Sequence, residues 1–234
     1  FAREVVAIDS GSTDGTLELL AGRVDRLEQI APEDFGHAHT RNLGLERCRG
    51  ELVVLIVQDA LPTSRRWLAE LIAPLREDPR VAGSFARQRP RDDASAITRR
   101  QLSRWAASAA RPRRAQLDDP LDWRRWSPAE RHLACAFDDV CACVRRAVWS
   151  RHPFPLVPVA EDLAWAREVL LAGWTLAYCP AAEVAHSHER SAVYELARSF
   201  LTHRELHRLF GLRAVPDVPR LGLAIAATLG DHLT

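Results

Sequence analysis

The sequence predicts an α/β protein with a mostly parallel central sheet flanked by helices, followed by C-terminal helices. Three observations carry that prediction. Two short apolar runs, EVVAID at Glu4 to Asp9 and ELVVLIVQD at Glu51 to Asp59, each end in an acid. Around them strand-like and helix-like text alternate across short links, the pattern of a doubly wound layer. The 234 residues, 47% of them hydrophobic, suffice for one sizeable core and are few for two large independent domains.

Glu4 to Asp9 is a β-branched strand, and SGSTDGT after it is full of residues that turn chains and cap helices. The next helix runs from Thr16 to Leu20, capped by Asp14 or Thr13 and stopped by Gly22. Val24 to Ile30 alternates as a strand, and His37 to Cys48 has a helical pattern ended by Gly50. The unbroken apolar run Glu51 to Asp59 fits a strand buried on both faces of a parallel sheet. A helix through Trp67, Leu68, Leu71 and Ile72 ends near Asp78-Pro79, and a strand follows at Val81 to Arg87. Arg89 to Arg131, rich in Arg, Asp and Pro and holding Trp105, Trp123 and Trp126, reads as partly helical and partly mobile. Val140 to Val144 returns to strand, Ala160 to Ala172 is a helix stopped by Gly173, and Thr175 to Tyr178 is a short strand. Ser191 to Leu212 is a long amphipathic helix, with a Pro-containing link and a final short helix beyond it. Residues 1–190 are therefore read as the core and 191–234 as a C-terminal helical extension.

A net charge of +1 gives no reason to expect nucleic acid as a ligand. All 32 basic residues are Arg, a uniformity that points to codon composition more than to one site. The five cysteines are odd in number and lie mostly in apolar text, which suits reduced, packed thiols in the cytoplasm. Cys141 and Cys143 share one strand face, but without a second pair a packing role outweighs metal binding. No signal peptide and no run of 18 apolar residues is present. On the long helix, Leu196, Phe200, Leu209 and Phe210, with Arg198, Arg204 and Arg208, suit either an anionic membrane surface or packing against the core. The inner face of the plasma membrane thus stays open as a location.

Acids fall at three places where an open α/β sheet exposes its ligand crevice: Asp9, Asp59 and the pair Glu161-Asp162. Asp9 is equally suited to capping the following helix. Asp59 directly follows a strand, where a divalent ion bridging two phosphates finds an oxygen ligand; Mg²⁺ needs only one or two carboxylates. In His186-Ser187-His188 the two imidazoles share a face if the segment is extended, and a solvated loop is the alternative. Asp162 sits in the first turn of a helix, as a general base or as an ordinary first-turn acid.

Six ordered blocks then carry a resemblance: VVAIDSGSTDGT (Val5 to Thr16), HAHTRNLG (His37 to Gly44), ELVVLIVQDALP (Glu51 to Pro62), VAGSFARQRPR (Val81 to Arg91), AEDLAW (Ala160 to Trp165) and AHSHERS (Ala185 to Ser191). Together they resemble the family 2 glycosyltransferases, in particular the bacterial rhamnosyltransferase-like members. The resemblance implies a GT-A fold, a nucleotide-diphosphate-sugar donor, Mg²⁺ or Mn²⁺, and an inverting single displacement onto a glycan or lipid-linked acceptor in cell-surface polysaccharide synthesis. By the same likeness, Asp9, Ser10, Arg41 and Gln58 contact the nucleotide sugar and Asp59 is the surviving acid of a D-x-D-type motif. Asp162 is the base of the E-D motif, and His186, ahead of His188, is the metal or diphosphate contact.

Val57 replaces the first acid of that motif, and Ser10 replaces the second acid often found after Asp9. The family's opening strand and helix have no counterpart before Phe1, so the expectation is an N-terminally truncated chain of reduced stability and activity; full activity of these 234 residues overturns it. A nucleotidyltransferase of similar shape requires a basic residue in the first loop, which SGSTDGT lacks. A non-catalytic sugar-nucleotide-binding or scaffold protein is the other alternative, separated from the enzyme by what Asp162→Asn does to turnover.

Overall fold

A computed structural model describes residues 3–213, apart from the side chain of Ala192; the expected final short helix lies outside the described residues. Along the chain come β1 (Val6–Asp9), α1 (Thr16–Leu20), β2 (Arg26–Gln29), α2 (His37–Arg47), β3 (Leu52–Ile56), β4 (Leu61–Pro62), α3 (Trp67–Glu77) and β5 (Val81–Arg89). There follow α4 (Ala96–Ser103), β6 (Arg113–Ala115), α5 (Asp122–Arg125), α6 (Pro128–Ala134), β7 (Cys141–Arg145), α7 (Arg146–Trp149), α8 (Glu161–Leu171), β8 (Thr175–Ala185) and α9 (Ala192–Phe210). The local signals act as their chemistry requires. Gly22 and Gly211 take left-handed φ of 72° and 73° just past α1 and α9, and the Ser191 hydroxyl caps α9 by accepting the Tyr194 N–H.

The main sheet has the order β3-β7-β5-β8-β4, with β6 also on β8, and β1 and β2 form a separate parallel pair. Strands β3 and β5, joined through α3, and β8, which follows α8, share one direction, as helical crossovers demand. The sheet is nonetheless mixed and not mostly parallel. β7 wedges between β3 and β5 running the other way, and the short β4 and β6 lie antiparallel on β8. Hydrophobic pattern marks a strand but not its direction; direction is set by the long excursion from 90 to 140, which brings the chain back to the end of the sheet where β5 finishes, so that β7 runs back alongside it.

Side chains alternate between two buried faces. On one, Ala142 and Val144 of β7 and Leu176 and Tyr178 of β8 join Phe85, Phe137, Phe154 and Trp165; on the other, Cys141, Cys143, Ala177 and Cys179 meet Leu71 and Leu75 of α3. Burial pushes the thiols of Cys141, Cys143 and Cys179 up to about 12, so they pack as neutral groups. Two expected strands differ in extent. β3 has no neighbour but β7 among the described residues, and of its five residues only Val53 is fully buried while Ile56 is exposed, so the continuous run is not enclosed on both faces. β8 does not stop at Tyr178: its register against β5 jumps from Ala86↔Cys179 to Arg87↔Glu183. That irregularity absorbs Pro180, which has no N–H to give the ladder, and the strand resumes beyond it.

Candidate active site

The resumed half of β8 builds the first part of the site. Leu61 and Pro62 pair with Ala185 and Val184, and continuing that antiparallel register brings Asp59, in the turn after β3, beside His186 and His188. His186 Nε2 lies 3.5 Å from Asp59 Oδ1 and His188 Nδ1 3.4 Å from Oδ2, the two rings standing nearly edge to face at 86°. One ligand atom from each of the three residues falls within 4.8 Å of the others. Loss of water on burial lowers the pKa of both imidazoles, which keeps their ring nitrogens available as neutral donors. A carboxylate with two neutral imidazoles is a donor set that fits a divalent cation.

The second part gathers acids around a single guanidinium. Arg41 on α2 places its terminal nitrogens 2.7 Å from Asp139 Oδ1 and 2.5 Å from Glu161 Oε1. Asp162, half-buried in the first turn of α8, takes the Leu163 N–H at 2.7 Å. Loss of water around it, with Asp139, Glu161 and Asp138 close by, pushes its carboxyl well above the usual carboxylate range. Burial likewise raises Asp139 to about 8 in spite of Arg41, and its Oδ2 has no hydrogen-bond partner. The residue before the pair, Ala160, holds φ 63°, ψ 35°, a left-handed backbone that costs a non-glycine residue on the order of 1 kcal/mol or more. Strain thus sits at the point where Glu161 and Asp162 are aimed. Asp138, next to Asp139 in the chain, accepts from the Gln88 amide, whose oxygen lies 2.9 Å from His186 Nδ1, so Gln88 and Asp138 link the cation-type group to the acids around Arg41.

A further group of the expected site residues lies at the end of β1. Asp9 is buried, and its Oδ2 accepts the N–H groups of Gly11 at 2.9 Å and Ser12 at 3.0 Å. With the Ser12 hydroxyl, these bonds hold it below the ordinary carboxylate value. Gly11, at φ 92°, cannot carry a side chain, because a Cβ there would lie 2.8 Å from Pro32. Ser10 is half-buried beside this turn and Gln58 is exposed in the turn before Asp59.

Asp59, His186 and His188 are thus brought together, while Asp162 is joined by acids that sequence reasoning had not singled out. Arg41, expected at the nucleotide, has both terminal nitrogens on carboxylates of the chain itself. Asp138, Asp139 and Gln88 were missed. The signal for the first two was a pair of acids directly before the apolar run of β7; Gln88, near the end of β5, carried none.

The sequence pattern of Glycosyl transferase family 2 matches residues 2–131, more than half of the chain. The chain belongs to glycosyl transferase family 2. Among other members, it is 29% identical over 204 residues to the O-antigen chain rhamnosyltransferase WbaN of Salmonella anatum, covering 85% of this chain and 61% of the relative. It is 28% identical over 205 residues to the corresponding RfbN of Salmonella typhimurium, covering 85% of this chain and 62% of the relative. The chain therefore spans less than two thirds of the length of these relatives. Solved structures share the fold. A mannosyltransferase of Pyrobaculum calidifontis in complex with GDP-mannose and Mn²⁺ superposes with a TM-score of 0.57 at 24% identity, over 85% of this chain and 52% of that one. The Mycobacterium tuberculosis glucosyl-3-phosphoglycerate synthase with Mn²⁺, UDP and glucosyl-3-phosphoglycerate gives 0.59 at 18% identity, over 91% and 70%. The GT-A fold expected of a family 2 glycosyltransferase is the fold found.

Proposed function

We propose that the protein transfers a sugar, rhamnose by analogy with its relatives, from a nucleotide-diphosphate sugar to a hydroxyl of a glycan or lipid-linked acceptor, with inversion and with help from Mg²⁺ or Mn²⁺. The observation that supports it most is the cation-type donor set of Asp59, His186 and His188, linked through Gln88 and Asp138 to the acids that raise the Asp162 carboxyl.

The acceptor oxygen attacks the anomeric carbon as the bond from that carbon to the diphosphate oxygen breaks, and the hydroxyl proton passes to Asp162. Burial among acids makes the Asp162 carboxylate a stronger base than one in water, which suits a proton taken from an alcohol. Arg41 bridges Asp139 and Glu161 and keeps the first turn of α8 in place. Asp9 and Ser10, in the turn after β1, are assigned to the nucleotide, with Gln58 on the donor side of Asp59. A divalent ion at Asp59, His186 and His188 would offset the charge that grows on the departing diphosphate.

A panel of nucleotide sugars with Mg²⁺ or Mn²⁺ tests this reading through release of nucleoside diphosphate. Release that a chelator abolishes, and that Asp162→Asn lowers by about 10²- to 10⁴-fold with donor binding retained, supports the transferase. Donor binding without turnover across the panel, in a chain carrying the full length of its relatives, replaces it with a binding module.

Among the described residues no helix is long and apolar enough to cross a membrane. The amphipathic α9 divides its apolar residues: Leu206, Leu209 and Phe210 are buried in the core, whereas Val193, Leu196 and Phe200 form an exposed stripe. The exposed half supports association with a membrane face, where a lipid-linked acceptor resides.

A further inference from the structure

His186 is tied into buried polar groups that the chemistry above does not use. Asp138 accepts three hydrogen bonds: from the Trp105 indole N–H to Oδ2 at 2.8 Å, from the Val140 backbone N–H to Oδ1 at 3.1 Å, and from the Gln88 amide to Oδ2. Indole and backbone N–H groups can only donate, so both Asp138 oxygens are engaged as acceptors. Gln88 must therefore face Asp138 with its NH₂ end. The flipped amide would set a carbonyl oxygen against a carboxylate oxygen where Gln88 is 5% and Asp138 7% exposed, and burial leaves that repulsion poorly screened.

That orientation turns the Gln88 carbonyl oxygen toward His186, 2.9 Å from Nδ1. An amide oxygen can only accept, so the proton of the neutral ring sits on Nδ1 and the lone pair on Nε2. Nε2 is the atom that lies 3.5 Å from Asp59.

We infer that Gln88, oriented by Asp138, is a positioning residue that fixes His186 as the Nδ1–H tautomer and so presents Nε2 as the ligand atom for the cation. Only the last clause rests on the metal reading above. Sequence spacing gives no hint of it, because Gln88 on β5 and Asp138 before β7 lie 50 residues apart. Partners of this kind, one shell out from the ligand, set both the orientation and the basicity of a coordinating imidazole.

The test begins with metal-free protein labelled with ¹⁵N in histidine, at mildly alkaline pH, with His186 assigned by the loss of its signals in His186→Ala. Long-range proton–nitrogen correlation should show Nδ1 protonated and Nε2 bare; an Nε2–H tautomer in the wild type overturns the inference. Gln88→Met keeps the length and removes the acceptor. It should lose the single-tautomer signature and weaken Mn²⁺ binding, read by titration calorimetry, by about 10- to 100-fold. An unchanged tautomer and unchanged Mn²⁺ affinity in Gln88→Met also overturn it. If the wild type takes up no Mn²⁺, the cation reading fails, and the wild-type spectrum still decides the role of Gln88.

Discussion

At the scale of single residues, the base role proposed for Asp162 would join catalysis to stability through one proton. Its folded pKa lies well above the free value of 3.8, so the folded protein keeps a proton that the unfolded chain releases. Stability from this group is complete below 3.8 and is lost as pH rises through the raised folded value. Asp162→Asn removes that loss. Urea unfolding of the two proteins across mildly acidic to mildly alkaline pH should show the variant gaining on the wild type as pH rises, by up to about 1.4 kcal/mol per pH unit within the window. A pH-independent difference would remove Asp162 as a proton-retaining group. In the wild type, kcat/KM should rise with pH on an acid limb above the ordinary carboxylate range. Asp59, Asp162 and His186 were legible in the sequence because acids and imidazoles at strand ends and first helical turns are visible one at a time. The neighbours that perturb them were not, since Asp139 and Arg41 meet Glu161 only after the chain has folded.

At the scale of elements, helices and apolar strands were legible because period and turn chemistry act within a few residues, and strand direction was not. The continuation of β8 past Pro180 was hidden for the same reason: a bulge depends on the neighbouring strand. β5 offers a sharper case. Gly83 has no unusual backbone, yet a Cβ there would lie 3.0 Å from both Phe137 Cε2 and Trp165 Cη2 and 3.1 Å from the Cys143 carbonyl oxygen. Two rings and a ladder carbonyl cannot all give way, so Gly83→Ala should cost about 1–3 kcal/mol of stability, read as a lower urea midpoint with unchanged slope. α9 makes the complementary prediction. Leu196 is 73% and Phe200 68% exposed, so replacing either with Ser should leave unfolding nearly unchanged. Sedimentation with anionic vesicles should show binding weakened by about tenfold for each side chain that enters the membrane; equal binding by the variants would withdraw the membrane face.

At the scale of the whole molecule, the cation-type set joins parts of the chain that share no local structure: the turn after β3 supplies Asp59, and the end of β8 supplies His186 and His188. In the unfolded chain 126 intervening positions separate Asp59 from His186, and nothing holds them together. A ligand of all three residues therefore binds the folded state and leaves the unfolded one alone. Binding then adds stability by mass action, about 2.7 kcal/mol when free Mn²⁺ stands at roughly a hundred times its Kd. Mn²⁺ should raise the thermal midpoint of the wild type in a concentration-dependent way and fail to do so in Asp59→Ala, while a chelator returns the wild type to the metal-free value. Gln88→Met should need more Mn²⁺ for the same rise, because its histidine is divided between two tautomers, yet approach the same shift at saturation relative to Kd. If Asp59→Ala responds to Mn²⁺ as the wild type does, the ion binds elsewhere, and the grouping of one carboxylate and two imidazoles is a hydrogen-bonded strand end and not a metal centre.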